Sequence, residues 1–483
     1  MIKTNRQVVQ DMKSRSIEVI DGHAPEINKN QVLVRVNKSL VSAGTELNTV
    51  NAGAKNLLGM AKARPDLVQK TLKSVRDNGV VATANLVRGK LQSLIPLGYS
   101  NVGLVEQVGE GVLDIEIGDR VACAGATWAN HADWCAVPRN LVAKVPLSVT
   151  DDEASIVTVA AIAMHGIRES GVGLGDRIGV VGLGLIGLLS VQLAVAAGAE
   201  VFAVDPNKDR VDQAKGMGAT RGSTSVERLA RDSIHLDAVL ICAHSNDSNL
   251  LNSAAGLVRP RGSVVLVGNC DIQLNRDLFF SKELKFSVSR SYGPGRYDLD
   301  YEELNISYPL EYVRWTQTEN MKCVLSMLEK KQLRVDYFPI NCFSLPDAKL
   351  AYDSLKNSTG KCALTMFSYN RSGAYSQQEP KHALTEGTTL ATEAGLEGVR
   401  ASDAMEIGFI GLGSHAQAKL ITPIEKNDAA VSFVANTSLA SSASQARAVG
   451  RNCQTLSVSD LLERRQPDVV FVATRHDTHA SIL

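Results

Sequence analysis

The sequence predicts an α/β protein with three parts in order. A small β-rich barrel comes first, then a doubly wound parallel sheet, then a second, incomplete sheet of the same kind. Three observations carry this. Residues 31–145 read as short alternating strands separated by Gly-Asp and Gly-Glu turns. From Asp151 onward, strands that are apolar throughout alternate with stretches of helical periodicity, the pattern of a parallel sheet covered on both faces. Two glycine-rich turns, "VVGLGLIG" and "FIGLGSHA", each follow a strand and open a helix.

The 483 residues leave room for two or three domains, each burying its own core. Acidic and basic side chains balance at 51 each, so no global field draws the chain to nucleic acid or to an anionic membrane, and neither is an expected partner. The opening "MIKTNRQVVQDMKSRSIEVIDG" lacks the apolar core of a signal peptide. Ile178 to Ala199 is long and apolar enough to cross a bilayer. Its first half, however, holds four glycines, and an acidic residue follows at Asp205. That pattern reads as a strand, a tight turn and a helix in one core. The eight cysteines form no C-x-x-C pair, so neither a structural zinc site nor a disulfide framework follows, and a reducing cytoplasm is the expected location.

The elements follow in order. "QVLVRVNKSLVSAG", "NVGLVEQVGEGV", "GDRVACAG" and "LVAKVP" supply the strands of a first domain, residues 1–150. Within it, residues 56–95 have helical spacing with mixed charge and read as an inserted helical arm. Residues 151–292 carry the strands "RIGVVG", "AEVFAVD", "LDAVLICA" and "GSVVLVGN" with helices between them. Residues 368–403, rich in Ser, Thr, Gly and Gln, read as a linker. Residues 404–483 begin a second strand–helix pattern that is short for an ordinary domain.

In the first fingerprint, Gly182, Gly184 and Gly187 stand at G-x-G-x-x-G spacing, with Leu185 and Ile186 between the last two. The first glycine permits the tight turn, the second lets the backbone approach a pyrophosphate, and the third lets helix and strand pack closely. The helix N-terminus offers free N–H groups to the phosphates. Asp205 ends the next strand, where a carboxylate accepts from the ribose hydroxyls of NAD and repels the extra phosphate of NADP. NAD is therefore the expected cofactor, and Lys208 and Arg210 keep NADP open. The second fingerprint has Gly411, Gly413 and Ala416. Its second strand ends in Asn436, Thr437 and Ser438 with no acid, so its cofactor preference is open, as is the alternative of a nucleotide-binding shape that binds nothing.

With these phrases, and with "SAGTE", "RPDLVQKTLKSVRDNG" and "SRSYGPGRYD", residues 1 to about 367 resemble the medium-chain dehydrogenase/reductase superfamily. The resemblance implies a GroES-like barrel, completed by residues 293–367, around a Rossmann domain. Residues 405–483 resemble the start of the Gfo/Idh/MocA oxidoreductases. The order of parts is similar to bi-domain oxidoreductases found among bacterial surface-polysaccharide enzymes.

The resemblance also implies that the metal is gone. The zinc enzymes' Cys-Gly-Thr-Asp phrase reads Ala43-Gly44-Thr45-Glu46 here, their ligand His is Tyr99 and the neighbouring Glu is Ser100. No Cys, Asp or Glu stands at the third ligand's place in "SIVTVAAIAMHG". Zinc needs three protein ligands in an open catalytic site, so no metal is expected. Thr45 falls on the zinc enzymes' proton-relay hydroxyl, Tyr99 on the lost ligand, and His131 on the barrel wall near the same cleft. Each is a candidate to polarise a carbonyl, and each has a plain structural alternative. Tyr292, Arg296 and Tyr297 form either a substrate loop or an ordered surface turn. In the second module, Thr474 and His479 match positions beside the nicotinamide. The family's catalytic lysine phrase is expected beyond Leu483, so the module as given is not expected to complete that chemistry.

The resulting expectation is an NAD(P)-dependent, zinc-independent oxidoreductase acting on a hydroxyl or carbonyl of a small sugar-like substrate, such as a nucleotide sugar. A homodimer paired through the Rossmann sheet edge accompanies the resemblance. A non-catalytic dinucleotide-binding sensor or scaffold, and a zinc-less quinone or enone reductase, remain the alternatives.

Overall fold

The computed structural model describes residues 4–54, 76, 93–231, 235–245, 247, 249–357, 359–369, 389–390, 405–413, 416–421, 424, 429, 431–450, 453–474 and 478–482. Most of the expected helical arm at 56–95 lies outside these residues.

The first domain begins with strands β1 (Thr4–Asp11), β2 (Ile17–His23) and β3 (Gln31–Val41). After a helix over Ala43–Ala54 come β4 (Leu94–Pro96), β5 (Ser100–Val108), β6 (Arg120–Ala124), β7 (Trp134–Pro138) and β8 (Val142–Lys144). Leu94 and Ile95, assigned to the helical arm from sequence, instead extend as a strand. They pair with Asp11 and Gln10 of β1, because Leu94 buries its side chain beside Val9 and Ile20. A three-stranded sheet runs β2-β1-β4. The larger sheet does not close into a barrel.

The Rossmann sheet follows, with β9 (Arg177–Val181), β10 (Glu200–Val204), β11 (Arg221–Ser223) and β12 (Leu236–Ile241). Then come the two-residue β13 (His244–Ser245), β14 (Val258–Leu266), the two-residue β15 (Asn269–Cys270) and β16 (Lys285–Val288). Six of them form a parallel sheet in the order β11-β10-β9-β12-β14-β16, reversing direction of travel at β9. That switch point leaves a crevice at the carboxyl ends of the strands, where ligands of such sheets bind. The apolar segment 178–199 is here a strand, a turn and a helix over Leu185–Ala196. Among the described residues no helix is long and apolar enough to cross a membrane.

The chain then returns to the first domain. β17 (Ile340–Phe343) and β18 (Leu364–Ser368) join its sheet, in the order β17-β18-β3-β5-β6-β8, with β7 beside β3. One apolar core runs from Val8 through the helix Val157–Ser170 to Tyr352 and Phe367, so barrel and Rossmann parts share packing.

The second module has β19 (Thr389–Leu390), β20 (Ile407–Ile410), β21 (Val431–Ala435), β22 (Gln454–Leu456) and β23 (Val469–Val472). All are parallel, in the order β19-β22-β21-β20-β23. β19 falls inside the expected linker, which thus contributes an edge strand paired to Gln454 and Thr455.

This module is docked on the first domain. The helix Leu439–Val449 lays Leu439, Ala440 and Ala443 against Val9, Ile20 and Leu94. Leu439 packs directly on Gly22, where a Cβ would stand 2.0 Å from Leu439 Cδ1. Arg447 reaches Asp11 at 3.2 Å and Glu18 at 3.4 Å, and the Leu94 N–H donates to Ser444 Oγ at 2.8 Å. Leu439→Ala is expected to destabilise the docked module by about 2 kcal/mol, seen as an earlier transition in a thermal melt.

The same interface holds His23 opposite Asp460, at 3.6 Å. Burial lowers its pKa from the usual 6.5, aided by Arg464 and opposed by Asp460, the Thr455 carbonyl and Glu26. The folded state therefore resists a proton that the unfolded chain accepts, so this contribution weakens as pH falls below about 6.5. Melts between about pH 7.5 and 5.5 should show the loss, and His23→Gln should flatten it.

Candidate functional site

The glycine loop is built as the fingerprint requires. Gly182 has φ +91°, and a Cβ there would meet the Ala243 N at 2.6 Å. A Cβ on Gly187 would lie 1.9 Å from the Gly182 carbonyl oxygen. At Gly184 it would meet nothing within 4 Å, so open space lies over the start of the helix, whose first turn is Leu185, Ile186 and Gly187. Gly184 caps that helix with no side chain, leaving its N–H groups facing outward. Asp205 is buried at the crevice edge. One carboxylate oxygen accepts from the Leu183 N–H at 2.7 Å and the other from the Asn207 N–H at 2.8 Å. Lys208, a candidate partner for an extra phosphate, is paired with Asp212 at 2.7 Å.

The second candidate cleft starts where β3 enters the helix Ala43–Ala54. Thr45 is exposed on its first turn, while Glu46 turns inward. One Glu46 oxygen accepts from the Ser42 N–H at 2.8 Å. The other meets His131 Nε2 at 3.1 Å and accepts from the Tyr352 hydroxyl. His131 is fully buried, with Nδ1 2.7 Å from Ser39 Oγ, which in turn lies 2.9 Å from the Tyr369 hydroxyl. Both ring nitrogens are taken. His131 thus reaches the cleft through Glu46 and not by touching a substrate.

Tyr99 is different. Gly98, at φ +93°, lets the chain turn under His131, since a Cβ there would lie 2.6 Å from the His131 N. The turn delivers Tyr99 into a buried position beside the side chains of Ser42 and Thr45. Burial pushes the phenol up to about 12, with the nearby hydroxyls of Ser42 and Thr45 opposing and Glu46 adding to the rise. Ser100, by contrast, donates to the Ser155 carbonyl at 2.6 Å and is structural.

Sequence reasoning assigned Tyr292 only to a loop. The structure buries it to 2 % exposure, with an unpartnered hydroxyl. Burial raises its phenol far above the usual range, and Tyr99 is among the neighbours that raise it further. Two buried phenols therefore occupy one neighbourhood. The clue in the sequence was the glycine pair around it, Gly293 at φ +115° and Gly295 at φ +100°, which marks a constrained turn. Arg296 binds Glu302 at 2.8 and 2.9 Å, so it is an internal ion pair and is not offered to a ligand. Tyr297 lies exposed beneath that guanidinium, 3.9 Å from it.

In the second module Gly411 has φ +80°, and a Cβ there would meet Thr474 Cγ2 at 2.5 Å. Gly413 is open. Thr474 accepts from Thr478 Oγ1 at 2.8 Å, and His479 Nε2 lies 3.2 Å from the Thr474 carbonyl oxygen. Gly411, Gly413, Thr474 and His479 are thus brought to one end of the sheet.

With this geometry in place, residues 186–305 match the family described as zinc-binding dehydrogenase. The probable D-xylulose reductase A of Neosartorya fischeri is 25 % identical over 242 residues, covering 42 % of this chain and 68 % of that protein. A short-chain alcohol dehydrogenase of Escherichia coli CFT073, solved with NADH, superposes with a TM-score of 0.58 at 17 % identity, covering 76 % of this chain and 99 % of that one. The galactitol-1-phosphate dehydrogenase of Escherichia coli gives 0.56 at 18 % identity, covering 75 % and 99 %. The chain carries a zinc-binding-type dehydrogenase domain with a Rossmann fold. It is an NAD(P)-dependent dehydrogenase/reductase.

Removing the buried carboxylate should show how much the cleft depends on it. Glu46→Ala would leave the Ser42 N–H, His131 Nε2 and Tyr352 hydroxyl without their partner, and is expected to lower stability by about 3 kcal/mol in urea denaturation.

Proposed function

We propose that this protein is a zinc-independent oxidoreductase that moves hydride to or from a carbonyl or hydroxyl of a small sugar-like molecule, with NAD preferred and NADP not excluded. The observation that carries the proposal is the pair of buried phenols, Tyr99 beside Thr45 and Tyr292 without a hydrogen-bond partner. A buried hydroxyl without a partner is destabilising, and a substrate oxygen accepting from it removes that penalty.

The residues present do not fit the zinc that the domain type implies. Ala43 offers a methyl group where a thiolate is needed, and burial holds the Tyr99 phenol protonated. Among the described residues no three His, Cys, Asp or Glu side chains cluster in a way that could hold a metal.

The crevice does fit a nicotinamide dinucleotide, which supplies or accepts the hydride when bound. The open face at Gly184 and the N-terminus of the helix Leu185–Ala196 would hold its pyrophosphate, with Gly182, Leu185, Ile186 and Gly187 shaping the turn. Asp205 would accept from the ribose hydroxyls while its other lone pairs stay on Leu183 and Asn207. In reduction, the Tyr99 hydroxyl would donate to the carbonyl oxygen and leave its proton there. Thr45, exposed at the cleft, would return a proton from solvent, and Glu46 with His131 would hold the helix that carries it.

The second module would be a Gfo/Idh/MocA-type fusion, with Gly411, Gly413, Thr474 and His479 around a second dinucleotide. The sugar-like substrate and a role in surface-polysaccharide synthesis rest on the family resemblance, supported by the sugar reductase among the relatives.

Turnover of NADH against a panel of nucleotide sugars and polyols tests the reading. Activity should survive a chelator, and Tyr99→Phe should lower kcat by about 100-fold with little change in KM. Because its phenol is raised to about 12, Tyr99 stays protonated through neutral and mildly alkaline solution. The reduction rate should therefore show no alkaline fall from Tyr99 below about pH 10. Binding of NADH without turnover on any carbonyl would instead favour a sensor.

A further inference from the structure

A pocket open to solvent lies between the docked module and the first domain. One wall is made by Asn436, Thr437 and Thr455 to Val458, at the carboxyl ends of β21 and β22. The other is the segment His23 to Glu26, which directly follows β2.

Its place in the sheet states what it could hold. Strands β22-β21-β20-β23 repeat the order β11-β10-β9-β12 of the first module. Asn436 therefore follows β21 as Asp205 follows β10, and the cavity stands where the ribose and base of a dinucleotide lie when its pyrophosphate is at the glycine turn. The first module supplies its own carboxylate for the ribose. The second does not, because Asn436 is neutral and donates to Gln445. Among the described residues lining the cavity, Glu26 is the single carboxylate. Its Oε1 accepts from the Ser459 N–H at 3.1 Å, which ties it to the segment just after β22.

Two further observations point to a ligand. Thr455 is 2 % exposed, and its hydroxyl has no hydrogen-bond partner. Both ring nitrogens of His23, in the opposite wall, are also buried. The wall carrying Glu26 is held in register by the packing of Leu439 on Gly22 and by the Arg447 ion pairs.

We propose that the first domain completes the second module's dinucleotide site, with Glu26 filling across the interface the place that Asp205 fills within the first module. Glu26 accepts from the ribose hydroxyls of the adenosine end, so the second site takes NADH and rejects the 2′-phosphate of NADPH. This rests on the reading of the second module as a dinucleotide site, and the test separates the two.

Calorimetric titration of the full chain with NADH and with NADPH is the experiment. Gly184→Asp silences the first site by placing a carboxylate where the pyrophosphate would lie, in space that is open. In that background one equivalent of NADH should still bind, and Gly413→Asp should abolish it. Glu26→Gln should weaken NADH about tenfold and narrow the NADH-to-NADPH preference, and Glu26→Lys should reverse it. Glu26 is exposed, so these variants should melt as the parent does. NADH bound at the second site with an unchanged affinity and preference in both Glu26 variants would overturn the role of Glu26 and leave the second site standing. No binding in the Gly184→Asp chain, with no effect of Gly413→Asp on the parent, would overturn both.

Discussion

The buried carboxylate of Glu46 is the constraint on which the first domain is organised. A carboxyl group in an apolar interior must be met by donors, and here three elements meet it: the turn at Ser42, the loop at His131 and the helix Ala348–Lys356 through Tyr352. Satisfying it fixes the first turn of the helix Ala43–Ala54, and with it the position of Thr45 beside Tyr99. Gly98 allows the close approach of His131 that closes the arrangement. The reacting side of the cleft can then hold two buried phenols, Tyr292 without a partner, because the side behind it is saturated.

Much of this was legible in the sequence, for physical reasons. Strands that are apolar on both faces and glycines at fixed spacing are local signals, and the turns at Gly182 and Gly411 take the left-handed backbone they require. Ala43 and Tyr99, at the positions that the resemblance matches to zinc ligands, are likewise visible residue by residue. What was not legible is non-local. Glu46 enters the sequence only as the acid that ends the Ala43-Gly44-Thr45-Glu46 phrase, and its burial depends on Tyr352, some three hundred positions away. Arg296 stood open between a substrate loop and a surface turn, and only its pairing with the buried Glu302 decides its role. Leu94 and Ile95 carry helical spacing, yet pairing with β1 outweighs it.

The two glycine modules show how one topology handles the same polar requirement differently. In the first, Asp205 lies on the strand next to the turn and closes onto the Leu183 N–H. In the second, the Gly411 turn packs on Thr474 just after β23, and no acid follows β21 directly. The difference leaves the second module's nucleotide end chemically plain, and the first domain is what lies against it.

That docking changes what the two halves are. Gly22, Val9, Ile20 and Leu94 present an apolar strip on a three-stranded sheet, and the helix Leu439–Val449 covers it. Cutting the chain between its halves would therefore not release two indifferent parts. The first half would be left with a sticky sheet face beside the edge strand β2, and the second with an alanine-rich helix in water. Each piece would look for a substitute for the other, so the behaviour of a dissected domain would report the loss of its neighbour as much as its own properties.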